Sequence, residues 1–412
     1  MRPAERANAV AFSLSRATAR GLLGAAALIA ALLAVVPSIR ASQSACSWSG
    51  ESDQRDVNVG APDLDAFYYA TSVAPAPGTK IVLAGRFPKA RYFSFTLYDA
   101  HGQPVASAYD AQIDPDGGSA NPFRGPVPRR SADHYHIQVL FTPRPARPAD
   151  NTLYVRPPAS SAAGLLFVLR VYVPSARSRP GPFPSLTTET VAGHVLVARG
   201  ACARISSTGG AARWERYARS SASPGAPTPA FPSAGSPPVW TRAFGSQFGN
   251  PQNAYLTTLV AHHNGQLVVI RARAPTFPDT SAGQPVYGPH ELRYWSFCTY
   301  DAAGQSVIGC AADYHASIHD GFVTYVVSDP AHRPRNATAA NGITWLPWGP
   351  ANAIQVVYRN MLPSPSFRHS VQRIATAHQP VPTTMGPYYP GAVYCSEVTF
   401  QRGSWSACKR GG

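Results

Sequence analysis

Lysine, glutamate and methionine are scarce in this chain of 412 residues. Only Lys80, Lys89 and Lys409 are lysines, so the net charge of +15 is carried almost wholly by arginine. With 41 prolines and abundant alanine, this bias reads as the coding habit of a GC-rich genome, and no nucleic-acid partner is expected from it. Beyond residue 45 glutamate occurs only as Glu51, Glu189, Glu215, Glu291 and Glu397, and no close pair of carboxylates stands out. That weakens a glycosidase reading, which needs two facing carboxylates. The G-x-S-x-G elbow, the H-E-x-x-H helix, the P-loop and G-x-G-x-x-G are all missing. His290-Glu291 begins like the zinc-protease motif, but Tyr294 stands where its second histidine belongs. No C-x-x-C pair offers the usual zinc or redox spacing. These absences call for no metal and no cofactor.

Long apolar runs are also lacking, save one at residues 21–36. Arg2, Arg6, Arg16 and Arg20 precede it, Pro37 breaks it, and the small residues Ala41, Ser42, Ser44 and Ala45 follow. The run is shorter than the ~20 residues of a spanning helix. Residues 1–45 are therefore expected to be a signal peptide, with an uncleaved N-terminal anchor as the alternative. Contact with a membrane is expected only through that segment.

All six cysteines lie beyond the run, as expected for an exported chain with disulfides. Spacing suggests Cys298 with Cys310 across a hairpin and Cys395 with Cys408 near the end. Cys46 with Cys202 remains, tying the start of a first domain to its end.

What the chain does contain is an internal repeat. RYFSFTLYDAHGQPV at residues 91–105 matches RYWSFCTYDAAGQSV at residues 293–307. Upstream, AFYYATSVAPAPGTKIVLAGRFP resembles NAYLTTLVAHHNGQLVVIRARAP; downstream, FVLRVYVP answers QVVYRNMLP, with Arg170 opposite Arg359. These segments alternate with period two and are rich in β-branched and aromatic residues, and DAHG and DAAG supply turn chemistry. In RYFSFTLYD, Phe93, Phe95 and Leu97 share one face and Tyr92, Ser94, Thr96 and Tyr98 the other.

Many short strands with Gly and Pro turns predict an all-β chain of two tandem β-sandwich, jelly-roll-like domains. The first is expected at residues 46–204 and the second at 248–363. A Pro/Ser/Gly-rich linker is expected at 205–247, containing the one helix candidate ARWERYARS, and a tail at 364–412 packs on the second domain.

In the second copy RYWSFCTYDAAGQSV, HDGFVTYVVSDP and ITWLPWGPANAIQVVYR carry a resemblance to the bacterial domain of unknown function 1214. The first copy fits more loosely, with NTLYVRP where the second has its WLP element. The resemblance implies a β-sandwich and brings no activity with it.

Two polar clusters differ between the copies. In ADYHASIHDG, a strand would put Asp313, His315 and His319 on one face, where they could bind a metal or move protons. In the first copy Asp110, Asp114, Asp116 and Asn121 lie within DAQIDPDGGSANPF, whose clustered oxygens partly resemble a cation loop. Arg91/Arg293, Tyr98-Asp99/Tyr300-Asp301 and Arg170/Arg359 recur in both copies and read as framework. Trp240, Trp345, Trp348, Tyr388 and Tyr389 in Pro-rich contexts suggest either packing or platforms for sugar rings. The expected protein is a secreted or envelope-associated binding or structural tandem sandwich, with an anionic envelope polymer or glycan as partner. The alternative is a hydrolase-like enzyme using Asp313, His315 and His319.

Overall fold

The computed structural model describes residues 48–52, 60–128, 131–156, 164–175, 183–200, 232–302 and 306–411. The signal segment, the Cys46–Cys202 pairing and the helix candidate at 212–220 lie outside these residues. Gln43–Gly412 form one compact unit. Among the described residues no helix is long and apolar enough to cross a membrane.

The chain is all-β, with two sandwiches whose first sheets have the same strand order and whose second sheets share a four-strand order. The first comprises β1 (Ser49–Ser52), β2 (Ala66–Val73), β3 (Thr79–Arg86), β4 (Ala90–Tyr98), β5 (Pro104–Tyr109), β6 (His134–Leu140), β7 (Thr152–Tyr154), β8 (Leu165–Pro174), β9 (Ser185–Thr190) and β10 (Val195–Arg199). One sheet runs β1-β2-β8-β4-β5 and the other β10-β9-β3-β6-β7. The second sandwich comprises β11 (Thr241–Ala243), β12 (Asn253–Ala261), β13 (Leu267–Arg273), β14 (Leu292–Asp301), β15 (Val307–Ala312), β16 (Ile318–His319), β17 (Phe322–Ser328), β18 (Ile343–Pro347), β19 (Ala353–Pro363) and β20 (Gly391–Cys395). Its sheets run β11-β12-β19-β14-β15 and β16-β17-β13-β20, with β18 parallel to β17, so that β20-β13-β17-β18 answers β9-β3-β6-β7. The element NTLYVRP forms β7, parallel to β6, and so takes the place that β18 has beside β17.

Two expectations need correction. The stretch 205–247 is not linker throughout, because Trp240 is buried in the second core and β11 pairs with β12. The tail does more than pack on the second domain. It contributes β20 to β13, as β9 joins β3 in the first copy. The helices α1 (Val381–Met385) and α2 (Glu397–Gly411) follow from this tail and were not foreseen. A kink at Gly403-Ser404 interrupts α2, which blurs any helical period in the sequence. Cys298 and Cys310 face each other in register on β14 and β15 and are bonded; Cys395 is bonded to Cys408 of α2.

Each core lies between the two sheets of its sandwich. Phe93, Phe95 and Leu97 of β4 join Leu83, Tyr135 and Phe167 in the first; Trp295 and Phe297 of β14 join Ile270, Tyr325 and Tyr358 in the second. The opposite faces of β4, β8, β14 and β19 are buried too, which is why β8 reads as the near-continuous apolar run LLFVLRVYV. These outer faces meet between the copies. Ala66, Tyr92, Tyr172 and Val173 of the first copy cluster with Tyr294, Ala312 and Met361 of the second. Tyr172 and Tyr294 meet edge to face with centroids 5.2 Å apart.

Candidate functional site

The polar residues shared by the copies are gathered at this junction, in a reciprocal clasp. The loops leading into β2 and β12, residues 61–65 and 248–252, each lie against the other copy's sheet. Ala61 (φ 53°) and Phe248 (φ 52°) open the two loops in the same left-handed conformation. The Asp63 N–H donates to Tyr68 Oη at 3.1 Å, and the Asn250 N–H to Tyr255 Oη at 3.2 Å.

The second copy grips loop 61–65 through five side chains, one of them Tyr314, whose Oη donates to Asp65 Oδ1 at 2.5 Å. Arg359 Nη2 donates to the Ala61 carbonyl at 2.6 Å and Tyr300 Oη to the Pro62 carbonyl at 2.7 Å. Tyr294 Oη donates to Asp63 Oδ1 at 2.9 Å and Ser296 Oγ to Asp63 Oδ2 at 2.7 Å. The first copy grips loop 248–252 in the same way. Arg170 Nη2 donates to the Phe248 carbonyl at 2.6 Å, Tyr98 Oη to Gly249 at 2.9 Å, and Tyr92 Oη to Asn250 Oδ1 at 3.1 Å. The glycine of the DAHG turn is required here. Gly102 has φ +72°, and a Cβ on it would stand 3.1 Å from the Phe248 ring.

Arg91 and Arg293, near the starts of β4 and β14, complete the junction. Arg91 Nη1 donates to Asp313 Oδ1 of the other copy, and Arg293 Nη1 to Asp110 Oδ1 at 3.2 Å. Asp313 also accepts from the N–H groups of Trp295 (3.1 Å) and Tyr314 (2.8 Å), and Asp110 from those of Phe93 (3.0 Å) and Ala111 (2.6 Å). All four charged residues are buried. The recurring arginines therefore pair with aspartates across the junction, and the repetition follows from the pseudo-twofold relation between the copies.

Burial raises Asp110 to about 6 and Asp313 to about 7, although the arginines and backbone donors pull both down. In the unfolded chain both carboxyls titrate near ~3.9. Between about pH 4 and 7 the folded state thus binds more protons than the unfolded one, and stability falls as pH rises through that window. We expect carboxyl-carbon NMR to show aspartate midpoints near 6 and 7. Asp313→Asn should flatten the decline in unfolding free energy over the same range; an unchanged slope would contradict the assignment.

The sequence candidates serve separate partners. Residues 313–315 form a 3-10 turn, so the strand alternation that would align Asp313, His315 and His319 does not apply. Asp313 points inward to Arg91, while His315 is exposed, 3.7 Å from Asp65. His319 is exposed beside Asp320 at 3.1 Å. In the first copy Asp110 belongs to the junction, Asp114 pairs with Arg124 at 2.6 Å and Asp116 with His136 at 2.6 Å. Asn121 is buried and ties the turn by donating to the carbonyls of Asp110 (2.7 Å) and Ile113 (2.8 Å). These oxygens do not converge on one point. Among the described residues Asp63, Cys298 and Cys310 bring potential metal-ligating atoms within 4.8 Å, but the two sulfurs are bonded to each other. Trp240, Trp348 and Tyr388 are buried in the second core, so they are not platforms for sugars.

Sequence reasoning missed Asp63, Asp65, Asn250 and Gln252. The visible signal was the alignment of Tyr68 with Tyr255, which places Asp63 opposite Asn250.

No family model and no curated protein matches the chain. Among solved structures it is similar to an uncharacterised protein from Burkholderia cenocepacia, at 15% identity and TM-score 0.49, over 87% of this chain and 85% of that one. The VPA0106 protein from Vibrio parahaemolyticus aligns at 11% identity and TM-score 0.38, over 82% of this chain and 92% of that one.

Proposed function

We propose that the protein acts outside the cytoplasm as a non-catalytic binding or structural component of the cell envelope, with an anionic envelope polymer as its partner. One observation carries this reading. The buried charged groups that would furnish an active site are engaged in joining the two sandwiches, and the histidines beside them have partners of their own. Two disulfides suit an oxidising compartment. Beyond residue 45 the chain keeps a net charge of +11 (31 basic less 20 acidic residues), which supplies long-range attraction to a polyanion. Membership of the second copy in the domain of unknown function 1214 family is part of the same proposal; the residues that suggest it fall on β14, β17, β18 and β19.

Co-sedimentation with purified cell-wall sacculi carrying their anionic polymers tests the reading. Binding should be strong at about 0.02 M salt and largely lost by about 0.5 M, as screening shortens the reach of the charges. No binding at the lower salt would overturn the proposed partner. A turnover that falls at least tenfold in His315→Ala or His319→Ala, with unfolding unchanged, would favour the enzyme instead.

A further inference from the structure

The two sandwiches serve as each other's control at one pair of hairpin positions. Thr96 stands opposite Ser107 on β4 and β5, and Cys298 opposite Cys310 on β14 and β15. A hydrogen bond of 3.3 Å between hydroxyls joins the first pair, and a disulfide joins the second. The hairpin thus closes with or without a covalent link, so the fold by itself does not demand the disulfide.

The surroundings of Cys298–Cys310 differ from those of an inert crosslink. Arg359 is buried, and its Nη1 donates to Cys298 Sγ at 3.1 Å. A disulfide sulfur is neutral and a weak acceptor, whereas a thiolate in its place would receive a charge-assisted hydrogen bond. The Asp63 carboxylate comes within 4.8 Å of both sulfurs and lies 3.7 Å from the same Nη1, so it would share the guanidinium with that thiolate. Tyr300 of β14 and Tyr255 of β12 are the other titratable side chains packed with the pair.

The two sulfurs are also unequally placed. Cys298 is fully buried, while Cys310 is half-buried on β15, the edge strand of its sheet. The second disulfide has neither feature. Cys395 and Cys408 are 8% and 1% exposed, and among the described residues no donor reaches either sulfur. Thiol exchange is fast where one sulfur is accessible and the other leaves as a stabilised thiolate.

We propose that Cys298–Cys310 is a thiol-exchange site for an external dithiol, with Cys310 the sulfur attacked and Cys298 the sulfur released. The incoming thiolate bonds to Cys310 Sγ as the bond between the cysteines breaks, and the electron pair leaves on Cys298 Sγ against Arg359. The partner's second thiolate then displaces Cys310, which takes up a proton. The partner ends as a disulfide, and the cysteine pair has gained its two electrons. The Cys298 thiolate adds a second anion to the guanidinium that faces Asp63, so exchange loosens the hold of the second copy on loop 61–65.

Limited reduction with dithiothreitol at about pH 8, followed by alkylation and peptide mapping, should open Cys298–Cys310 about tenfold or more faster than Cys395–Cys408. With glutathione as the attacking thiol and an acid quench before labelling, glutathione should be found on Cys310 and the alkyl label on Cys298. The ultraviolet absorbance of the thiolate should appear at lower pH for Cys298, in Cys310→Ser, than for Cys310, in Cys298→Ser. Amide exchange of residues 61–65 should quicken about tenfold when the parent is reduced. It should stay slow in Cys298→Thr with Cys310→Ser, which copies the neutral pair of the first sandwich. Disulfides opening at equal rates, glutathione on Cys298, or Cys298 as the less acidic thiol would each overturn the proposal. So would residues 61–65 exchanging as fast in the double variant as in the reduced parent.

Discussion

Arg91→Ala is expected to destabilise the protein by about 3–5 kcal/mol, measured by urea unfolding at about pH 9, above the range in which Asp313 holds a proton, because it leaves that carboxyl buried without its partner. The environment of Arg91 makes the effect large. The side chain is fully buried, donates to Asp313 and to Thr280 Oγ1 at 3.2 Å, and lies over the rings of Phe277 (5.4 Å) and Tyr314 (5.2 Å). Its removal opens a cavity as well as stranding a carboxylate. The double variant Arg91→Met with Asp313→Leu should recover most of the loss, ending within about 1 kcal/mol of the parent or above it, since a buried ion pair is often no better than apolar residues of similar volume. A double variant as unstable as Arg91→Ala would show that the pair contributes through geometry that apolar contacts do not replace. Arg293→Ala is the symmetry control and should show a smaller loss. Its contact with Asp110, at 3.2 Å, is longer than that of Arg91 with Asp313.

How much of this was legible in the sequence depends on which face of a strand is considered. Phe93, Phe95 and Leu97 announced a core through alternation, and the duplicated RYxSFxxYD strand located it twice. The other face, Tyr92, Ser94, Thr96 and Tyr98, has the composition of a half-solvated sheet surface. It is buried because a second copy of the same surface lies against it. Polar residues on such a face look alike in sequence whether they meet water or another sheet. The clasp was hidden for a related reason: Tyr294 and Asp63 are separated by 231 residues, and Arg359 and Ala61 by 298, so no local spacing reports them. Asp313 shows how a sound pattern misleads. Its even spacing to His315 and His319 suggested one strand face, but the chain turns there so that the carboxylate can cap the Trp295 N–H and reach Arg91. Edge strands were the least visible, because β11 follows a proline-rich stretch and the sequence of β20, GAVYC, does not resemble SLTTET of its counterpart β9.

Residues 43–204 and 232–411 made as two separate chains in one cell should co-purify as a one-to-one complex, whereas each made alone should be mostly insoluble or aggregated. The junction demands this outcome. Alone, the first fragment would expose Tyr92, Tyr172 and Val173, and the second Tyr294, Met361 and the face around Cys298 and Val357. Apolar patches of that kind drive association. Each fragment would also carry charged groups whose partners lie on the other: Arg91 without Asp313, Asp110 without Arg293, and Arg359 without Asp63. Rejoining them pairs all three at once. Cutting the chain removes only the high effective concentration that the covalent link provides, not the contacts themselves. Arg359→Ala in the second fragment should weaken the complex at least tenfold, because it strands Asp63 and frees the carbonyl of Ala61. Two fragments that stay soluble, monomeric and cooperatively folded apart, and do not associate when mixed, would show that each sandwich is self-sufficient. The shared arginines and tyrosines would then need a purpose other than joining the copies.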